Sequence, residues 1–460
     1  ILIILSNLSF FLGLLSKENA IMFVAIVPLA VYFFFRVPLK KTLLITFPLA
    51  ITALAFVFVR FLVLGQVFSS GIPRELLNNP FLDATADQRF GTIMYTLGLY
   101  IKLLFFPHPL THDYYPYQIP LVSLTDIRSL IPVIMYSAMI FYLLRRFSKK
   151  EIVVFGLAFY LLTLLIVSNL LFAVGTFMNE RFIYMPSLGF VIIMIYLVAV
   201  KLPSRFKSKA ASKIVVLAIM FPVLLLFSIK TYTRNQVWKD DFTLFSTDVL
   251  VSGNSIKCNI SAGGDYINKA VNEPDTVKKM EYFGHSMQYL EKALRLAPSS
   301  INALVLYGNL NALYLKDYKK AIEQYFKVLY IDQSNEPAMT NAIKILESVD
   351  NQKDCAYKLK SYQFLLKINP ANSDICYNIG RLYGRYAGNL DSAGIYLEKA
   401  IKLSPGDIKA YKDLGIICSM KKDFARAIEL FKTAAALDPK DIQVKQNLEV
   451  TYRIMQREKK

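Results

Sequence analysis

The sequence predicts an all-α fold in two parts, a polytopic membrane helix bundle followed by an α-solenoid. Apolar residues make up 55% of the chain, and the long apolar runs are confined to the first 230 residues. Beyond residue 256 the sequence repeats with a period of about 35 residues, which indicates stacked helical hairpins. We therefore predict a membrane domain over 1–230, a linker with one amphipathic helix over 231–256, and a solenoid over 257–460.

Seven apolar runs in the first part are candidate membrane spans, since a helix needs roughly 20 apolar residues to cross a hydrocarbon core. The runs cover residues 1–15, 20–35, 43–64, 130–144, 152–174, 182–200 and 214–229. Several runs are shorter than this length, so flanking residues would complete the crossing. The first run starts at Ile1 with neither a methionine nor a charged leader, and we expect further sequence before it.

Basic residues cluster in three loops between these runs, and positively charged loops remain on the cytoplasmic side of a membrane. The loops contain Arg36, Lys40 and Lys41, then Arg145, Arg146, Lys149 and Lys150, then Lys201, Arg205, Lys207, Lys209 and Lys213. A net charge of +19 distributed in this way indicates membrane orientation and not a nucleic-acid-binding face. The other connections, and everything after Lys230, then lie on the outer side. Both flanks of residues 90–106 are outer, so we predict an interfacial or re-entrant helix there.

The outer side collects most of the unusual polar residues of the first part, centred on Glu180 and Arg181 between two long apolar runs. Ionisable groups at a membrane edge are costly and often functional, whereas interfacial anchoring is the alternative for each residue alone. Arginines can fork onto a phosphate, carboxylates can take a proton from a hydroxyl, and tyrosines can stack on sugar rings. The residues are Lys17, Glu18, Arg60, Arg89, His112, Asp113, Glu180, Arg181 and Tyr184, with Tyr114, Tyr115 and Tyr117. We predict a site for a lipid-linked anionic substrate.

A polar exit segment follows the last apolar run. It contains the single tryptophan, Trp238, which is typical of a membrane interface. Phe242, Phe245 and Val249 then share one face of a predicted amphipathic helix over 242–250. The four cysteines all follow this helix, without a C-x-x-C pair or a histidine at metal-ligand spacing, so we expect buried free thiols.

The repeat units end at Pro298, Gln333, Pro370, Pro405 and Pro439, at intervals of 35, 37, 35 and 34 residues. This is the period of tetratricopeptide repeats. Small or slim residues stand where helices would pack closely, at Ala293, Val328, Leu365, Ala400 and Ala434, with Gly308, Gly380 and Gly415 within units and Ala321, Ala393 and Ala427 in the second helices.

We count five units and a capping helix over 442–457, with an insertion near 271–281 and a divergent third unit over 336–369. Such arrays bind extended peptides or partner domains and seldom carry chemistry. Capping or oligomerising the membrane part is the alternative.

Taken together, these parts resemble the transmembrane and tetratricopeptide-repeat O-mannosyltransferases and their bacterial relatives. The most specific element is the Glu-Arg-x-x-Tyr-x-Pro-Ser motif that starts at Glu180, combined with the repeats. The resemblance implies a multi-pass glycosyltransferase of the GT-C fold whose repeat arm lies on the lumenal or periplasmic side. The matching stretches are 15–18, 78–89, 112–115, 119–121, 180–189 and 234–238.

The resemblance also implies a polyprenyl-phosphate sugar, such as a mannose donor, and Ser or Thr hydroxyls as acceptors. The family's catalytic acidic pair is expected before Ile1, so the base is not assigned, and Glu180 and Asp113 are the candidates here. The donor phosphate would bind Arg181, Arg89, Arg60 or Lys17, and the remaining candidates are Glu18, His112 and Tyr184. No cofactor is implied, no metal ligands are assigned, and metal dependence is open.

Two other functions are consistent with the sequence. A lipid-linked oligosaccharide ligase or polymerase would depend on His112, and a non-enzymatic anchored scaffold would need none of the outer polar residues. The abundance of Lys and Ile favours a bacterial inner membrane with a periplasmic arm, and an endoplasmic reticulum membrane with a lumenal arm is the alternative.

Overall fold

The structure, a computed structural model, describes residues 2–35, 37–65, 79–82, 84–349 and 352–458. These residues form helices joined by turns, without a β-strand among them, and the predicted all-α fold is confirmed. The basic residue Arg36 and the first residue of the 78–89 stretch, Asn78, lie outside the described residues. The chain forms two compact units, Ile1–Ser300 and Ile301–Lys460.

The first unit contains eleven α-helices within its described residues. Short 3₁₀ turns occupy Glu18–Met22, Phe147–Lys149, Glu180–Ile183 and Pro203–Arg205, and a π-helical turn occupies Tyr196–Lys201. The α-helices are α1 (Leu2–Ser16), α2 (Phe23–Phe34), α3 (Leu39–Leu64), α4 (Ala86–Phe105), α5 (Ile127–Arg146), α6 (Ile152–Leu165), α7 (Tyr184–Ile195), α8 (Lys209–Val237), α9 (Asp241–Val251), α10 (Ile256–Val271) and α11 (Thr276–Leu296).

Four helical stretches of the described chain are long and apolar enough to cross a membrane, namely Leu39–Val63, Ile127–Lys149, Glu180–Arg205 and Lys209–Val237. Shorter apolar helices occupy Leu2–Ser16, Glu18–Phe34 and Ile152–Leu165. These stretches identify a membrane protein, as predicted. The count of seven crossings stays a prediction.

The apolar run 152–174 was expected to form one helix, but α6 ends at Leu165. Asn169 adopts a left-handed backbone with φ of 62°. Its side-chain amide donates to the carbonyls of Thr176 and Phe177, and its side-chain oxygen accepts from the Val174 N–H at 2.8 Å. Asn169 therefore folds the second half of the run into a turn, which leads the chain to Asn179.

Helices α6 and α7 pack with their backbones in close contact at Gly156 and Gly189. A Cβ atom added at Gly156 would stand 2.7 Å from the Gly189 carbonyl oxygen. Real Cβ atoms do not approach backbone so closely, so the contact requires glycine. This contact fixes the start of α7, and with it Glu180 and Arg181, against the rest of the bundle.

Helix α4 lies where the interfacial or re-entrant helix was predicted, and it runs parallel to α5. The Ser129 hydroxyl donates to the Gly91 carbonyl at 2.8 Å, and the Tyr136 hydroxyl donates to the Leu97 carbonyl at 3.2 Å. From the first pair to the second, the residue number rises in both helices, from Gly91 to Leu97 in α4 and from Ser129 to Tyr136 in α5, so the two helices run in the same direction. The segment 106–126 between them therefore returns to the level at which α4 began. The interfacial or re-entrant placement of α4 in the membrane stays a prediction.

Helices α9 to α11 belong to the first compact unit. Asp240 caps α9 by accepting a hydrogen bond from the Thr243 N–H at 2.8 Å. Phe245 and Val249 then pack against Cys258 and Ala262 of α10. The predicted amphipathic helix is therefore present, and its apolar face covers the first repeat helix.

The second unit consists of helical hairpins, which confirms the predicted solenoid. The small or slim residues predicted at its close helix contacts are completely buried, from Ala321 to Ala434, and so is Ala293 in α11 of the first unit. A Cβ at Gly308 or Gly415 would stand 2.7 Å from the ring of Tyr325 or Phe431, so the two helices of a unit touch at the glycine. The helices are α12 (Ile301–Leu310), α13 (Tyr318–Ile331), α14 (Glu336–Ser348), α15 (Cys355–Ile368), α16 (Ser373–Arg385), α17 (Leu390–Leu403), α18 (Ile408–Met420), α19 (Phe424–Leu437) and α20 (Ile442–Glu458), with a π-helical turn at Asn311–Leu315.

Candidate functional site

Two distant segments meet at the candidate site, the return segment 106–126 and the turn at Asn179. The Asn179 backbone N–H donates to the Tyr100 hydroxyl oxygen at 3.0 Å, and its side-chain amide donates to the His112 carbonyl at 3.1 Å. The Asn179 side-chain oxygen accepts from the Arg181 N–H at 3.0 Å and so starts the helical turn there. Asn179 is buried and places Glu180 and Arg181 beside His112 and Asp113.

Glu180 holds the return segment in place. Its Oε1 atom accepts hydrogen bonds from the Thr111 N–H at 2.6 Å and from the Tyr114 hydroxyl at 2.7 Å. Burial and the adjacent Glu180 carboxylate raise the pKa of Tyr114, so its phenol stays protonated and donates. Glu180 thus orients the segment around His112 and Asp113.

A buried ion network joins the return segment to the end of α8 and to α9. Arg234 donates to both carboxylate oxygens of Asp248, at 2.6 and 2.8 Å, and the ring Nδ1 of His112 lies 3.1 Å from Asp248 Oδ2. The Asp248 side chain is 0% exposed. Burial alone would raise the pKa of Asp248, but the hydrogen bonds from Arg234 and His112 lower it to about 2. Burial alone would lower the pKa of His112, and the hydrogen bond to Asp248 raises it to about 9.

Cys258 lies on the other side of the same imidazole. Its Sγ atom is 3.8 Å from His112 Nε2 and 3.4 Å from the Asp113 carbonyl oxygen. The arrangement of Cys258, His112 and Asp248 resembles a nucleophile, base and orienting carboxylate. Cys258 is 0% exposed, however, so a substrate has no access to the thiol. We interpret the three residues as a structural network.

Asp113 is the carboxylate of the segment with spare hydrogen-bonding capacity. Its Oδ1 atom accepts from the Tyr115 N–H at 2.5 Å, and Oδ2 accepts no hydrogen bond from the described part of the chain. Burial raises the pKa of Asp113, and the positive charges of Lys257, His112 and Arg181 partly oppose that rise. A raised pKa makes a carboxylate a stronger base than an ordinary surface carboxylate, which suits Asp113 to accept a proton.

Arg181 presents its guanidinium to the outside of the cluster. The side chain is exposed, and its Nε–H donates to Asn179 Oδ1 at 3.1 Å. None of the carboxylates in the described chain forms an ion pair with it, so its two terminal nitrogens are available to a ligand. An exposed, oriented guanidinium beside a buried carboxylate can bind a phosphate by a fork of hydrogen bonds.

The structure does not bring the other predicted residues to this cluster. Arg60 forms an ion pair with Glu18, and Lys17 is exposed next to that pair. Within the described residues, no hydrogen bond or ion pair links them to Arg181. Arg60, Glu18 and Lys17 thus contact one another or solvent, and their part in the predicted site stays a prediction.

Two further candidates also lie apart. The Arg89 guanidinium stands over the Phe81 ring at 5.7 Å, and Phe81 belongs to the core cluster beneath the return segment. Tyr184 is 80% exposed, and its carbonyl accepts a hydrogen bond from the Ser187 hydroxyl within the same helix. These contacts involve neither Arg181 nor Asp113, and the roles predicted for Arg89 and Tyr184 stay predictions.

Asp248 was not among the residues predicted from the sequence, and Arg234 and Lys257 had no predicted role. A signal was available for Asp248, which lies between the apolar residues Leu244 and Val249 on the buried face of α9. A carboxylate on the buried face of an amphipathic helix needs a partner, and Arg234 in the preceding helix supplies it. Lys257 stands over the Tyr115 ring at 5.1 Å and adds positive charge near Asp113.

In the described parts of the chain, no group of three or more His, Cys, Asp or Glu side chains is arranged to hold a metal ion.

One stretch of the membrane part matches a known family. Residues 75–140, which include α4 and the return segment, match the family described as Protein O-mannosyl-transferase TMTC, DUF1736. Residues 385–448 match a tetratricopeptide repeat family. The chain is similar to the TMTC proteins. This finding confirms the predicted resemblance, and the matched stretch includes the return segment.

The relatives carry the same description. Human Protein O-mannosyl-transferase TMTC3 is 24% identical over 84% of this chain and 39% of its own length. Human TMTC1 is 29% identical over 48% of this chain and 24% of its own length, and the Drosophila melanogaster Tmtc3 is 23% identical over 77% of this chain and 35% of its own length. The chain thus spans less than half the length of these relatives.

Two solved structures, YrrB and MamA, are similar to part of the chain. YrrB, described as a TPR protein with an unusual peptide-binding site, is 18% identical, with a TM-score of 0.32, over 44% of this chain and 96% of its own. MamA is 21% identical, with a TM-score of 0.31, over 40% of this chain and 93% of its own.

Proposed function

We propose that the protein is a membrane glycosyltransferase that moves a sugar, such as mannose, from a polyprenyl-phosphate donor to Ser or Thr hydroxyls of proteins. The observation that carries the proposal is that Asn179 holds the return segment against its own turn, which places the exposed Arg181 guanidinium near the Asp113 carboxylate. The similarity to proteins named O-mannosyl-transferases supports the type of reaction. In this proposal the repeat arm lies on the same side of the membrane as the cluster and binds the acceptor or a partner protein.

The proposed reaction needs a base and a group that binds the leaving phosphate. The acceptor hydroxyl oxygen bonds to the anomeric carbon, its proton passes to a carboxylate, and the bond from that carbon to the phosphate oxygen breaks, so the electron pair leaves with the phosphate. Among the two candidate bases, Asp113 is favoured, because Glu180 Oε1 already accepts hydrogen bonds from Thr111 and Tyr114. Arg181 would stabilise the departing phosphate.

The ligase or polymerase alternative depended on a catalytic His112. Both ring nitrogens of His112 are engaged, one by Asp248 and the other by the Cys258 thiol. Its side chain is 15% exposed. These contacts favour a structural role for His112 and do not support that alternative.

The first test compares Arg181→Ala with the wild type in the natural full-length protein. Membranes carrying each protein are incubated with a polyprenyl-phosphate-linked radioactive mannose and a Ser/Thr-rich acceptor peptide. We expect Arg181→Ala to lower transfer at least about a hundredfold, because a charge-assisted contact to the leaving phosphate is lost. Asp113→Asn should have a similar effect.

Arg145→Ala is the matched control, because Arg145 lies in a predicted cytoplasmic loop with its guanidinium over the Phe141 ring, away from the cluster. Its transfer rate should equal that of the wild type. A correctly folded Arg181→Ala variant keeps Cys258 unreactive toward a maleimide, since that thiol is buried. Full transfer by this variant would remove Arg181 from the donor site, and an inactive wild type would reject the transferase proposal.

A further inference from the structure

The second helices of three successive repeat units form a groove of about 600 Å³ on the second compact unit. We call it the basic groove. It is lined by Tyr330 of α13, by Lys360, Phe364 and Lys367 of α15, and by Tyr396 and Lys399 of α17. We propose that the basic groove binds an acidic peptide segment that carries an aromatic side chain.

The charge of the groove is not neutralised within the array. Its three lysines, Lys360, Lys367 and Lys399, form no ion pair with the described residues, and no carboxylate lines the groove. Other lysines of the same unit behave differently, since Lys412 pairs with Asp441 at 3.0 Å and Lys421 pairs with Asp391 at 2.5 Å. The groove therefore presents positive charge that a partner with carboxylates would complement.

The first helices of the same units contrast with the groove. Arg385 donates to Asp413 at 2.8 Å, and the Tyr377 hydroxyl donates to the same carboxylate at 3.2 Å. Asn378 likewise donates to Glu347 from the preceding unit at 3.3 Å. Polar side chains of the first helices therefore form hydrogen bonds with one another between neighbouring units. An acidic partner therefore finds unpaired cations on the second helices.

Aromatic side chains give the groove a fixed apolar surface. The Phe364 ring lies 4.5 Å from the Phe326 ring and 4.8 Å from the Tyr330 ring. Tyr396 stacks on Tyr383 with ring centroids 5.9 Å apart. Tyr330 is 73% exposed, so its ring is available to a partner. Large rigid rings supply contact area at a low entropy cost, and they favour a partner side chain that is itself aromatic.

The spacing of the charges matches an extended peptide. Lys360 and Lys367 are two helical turns apart on α15, or about 10 Å, and Phe364 lies between them on the same face. An extended chain rises about 3.3 Å per residue, so carboxylates three residues apart span the same distance. A peptide is favoured over a membrane surface because membrane-binding surfaces expose their apolar side chains, whereas Phe364 and Tyr396 are half-buried in the groove and Tyr330 alone of these three rings is exposed.

The basic groove goes beyond the proposed transferase activity, since peptide binding there requires no sugar transfer. Its test uses the whole chain in nanodiscs of phosphatidylcholine and a fluorescein-labelled octapeptide with four Glu and two Phe residues. We expect saturable binding by fluorescence anisotropy. The triple variant Lys360→Glu, Lys367→Glu, Lys399→Glu should weaken it about tenfold or more, and Tyr330→Ala about threefold.

The matched control reverses three other exposed lysines of the same unit, Lys432→Glu, Lys440→Glu and Lys445→Glu, and so changes the net charge equally. Supporting results are unchanged binding by this control and loss of binding when the peptide's Glu residues become Gln. Equal weakening by both triple variants would show non-specific attraction and overturn the proposal. Absence of peptide binding, with groove lysines protected from acetylation only in nanodiscs containing phosphatidylglycerol, would replace the peptide with a lipid surface.

Discussion

Asp248 is the residue on which the geometry of the candidate site depends. It receives two hydrogen bonds from Arg234 and two from His112, one from the ring and one from the backbone N–H at 2.6 Å. A fully buried carboxylate with this many charged or polar partners is costly to disturb on one side only. Removing any one of Arg234, Asp248 and His112 therefore affects the positions of the other two. The return segment, which carries Asp113, is affected in turn.

The raised pKa of His112 predicts a stability that depends on pH. A protonated His112 stabilises the folded state fully below its unfolded pKa of about 6.5, and this contribution is lost as the pH rises through about 9. We expect the purified protein to lose about 1–3 kcal/mol of unfolding free energy between pH 6.5 and 9.5, measured as a falling midpoint of thermal unfolding.

His112→Gln provides the control for this pH dependence, because glutamine does not titrate. Its unfolding midpoint should lie below that of the wild type at pH 6.5 and change little up to pH 9.5. A wild-type slope that persists in His112→Gln would assign the titration to another group.

At the scale of helices, the contact between α6 and α7 sets the position of Glu180 and Arg181. Gly189→Ala should destabilise the bundle by about 1–3 kcal/mol, since the added Cβ would enter the backbone of α6 at Gly156 and Tyr160. Gly394→Ala in α17 is the opposite case, because a Cβ there meets no atom within 4 Å. That change should be neutral or stabilise by up to about 1 kcal/mol. Thermal unfolding of both variants measures the difference, and equal effects would contradict the close contact.

The helices show which parts of the fold can be predicted from the sequence and which cannot. Hydropathy and the repeat period predicted the long apolar helices, the amphipathic helix α9 and the close contacts at Gly308 and Gly415, because these are local or periodic signals. The end of α6 was not predicted, since residues 166–174 are largely apolar and only the hydrogen bonds of Asn169 identify the turn. The pairing of His112 with Asp248 joins residues 136 positions apart, and no local pattern reports it. For the same reason, the sequence could not show that Arg181 lies in the cluster with His112 and Asp113 while Arg60 and Arg89 make other contacts.

At the scale of the whole molecule, the charge distribution predicts a defined topology. A single cysteine at Ser204 should be labelled by an impermeant maleimide only after the membrane is opened, because its loop is basic and predicted to be cytoplasmic. A cysteine at Ser299, which is exposed near the end of the first compact unit, should be labelled in intact cells or vesicles of native orientation.

Both variants are made in a Cys355→Ser background, since Cys355 is the partly exposed native cysteine and the other three are buried. The reverse labelling pattern would mean that the repeat arm faces the cytoplasm. Equal labelling of both positions before opening would contradict a single orientation.

The ion network of Arg234, Asp248 and His112 also has a consequence for how the protein is made. His112 leaves the ribosome long before Arg234 and Asp248 are synthesised, and domains generally form in the order in which they emerge. Until α9 exists, the return segment lacks the carboxylate that holds His112, and Cys258, which contacts the other side of the imidazole, follows later still in α10. The site near Asp113 is therefore completed only after the last membrane helix has been inserted and the arm has begun, so a nascent chain that stops earlier carries an unfinished site.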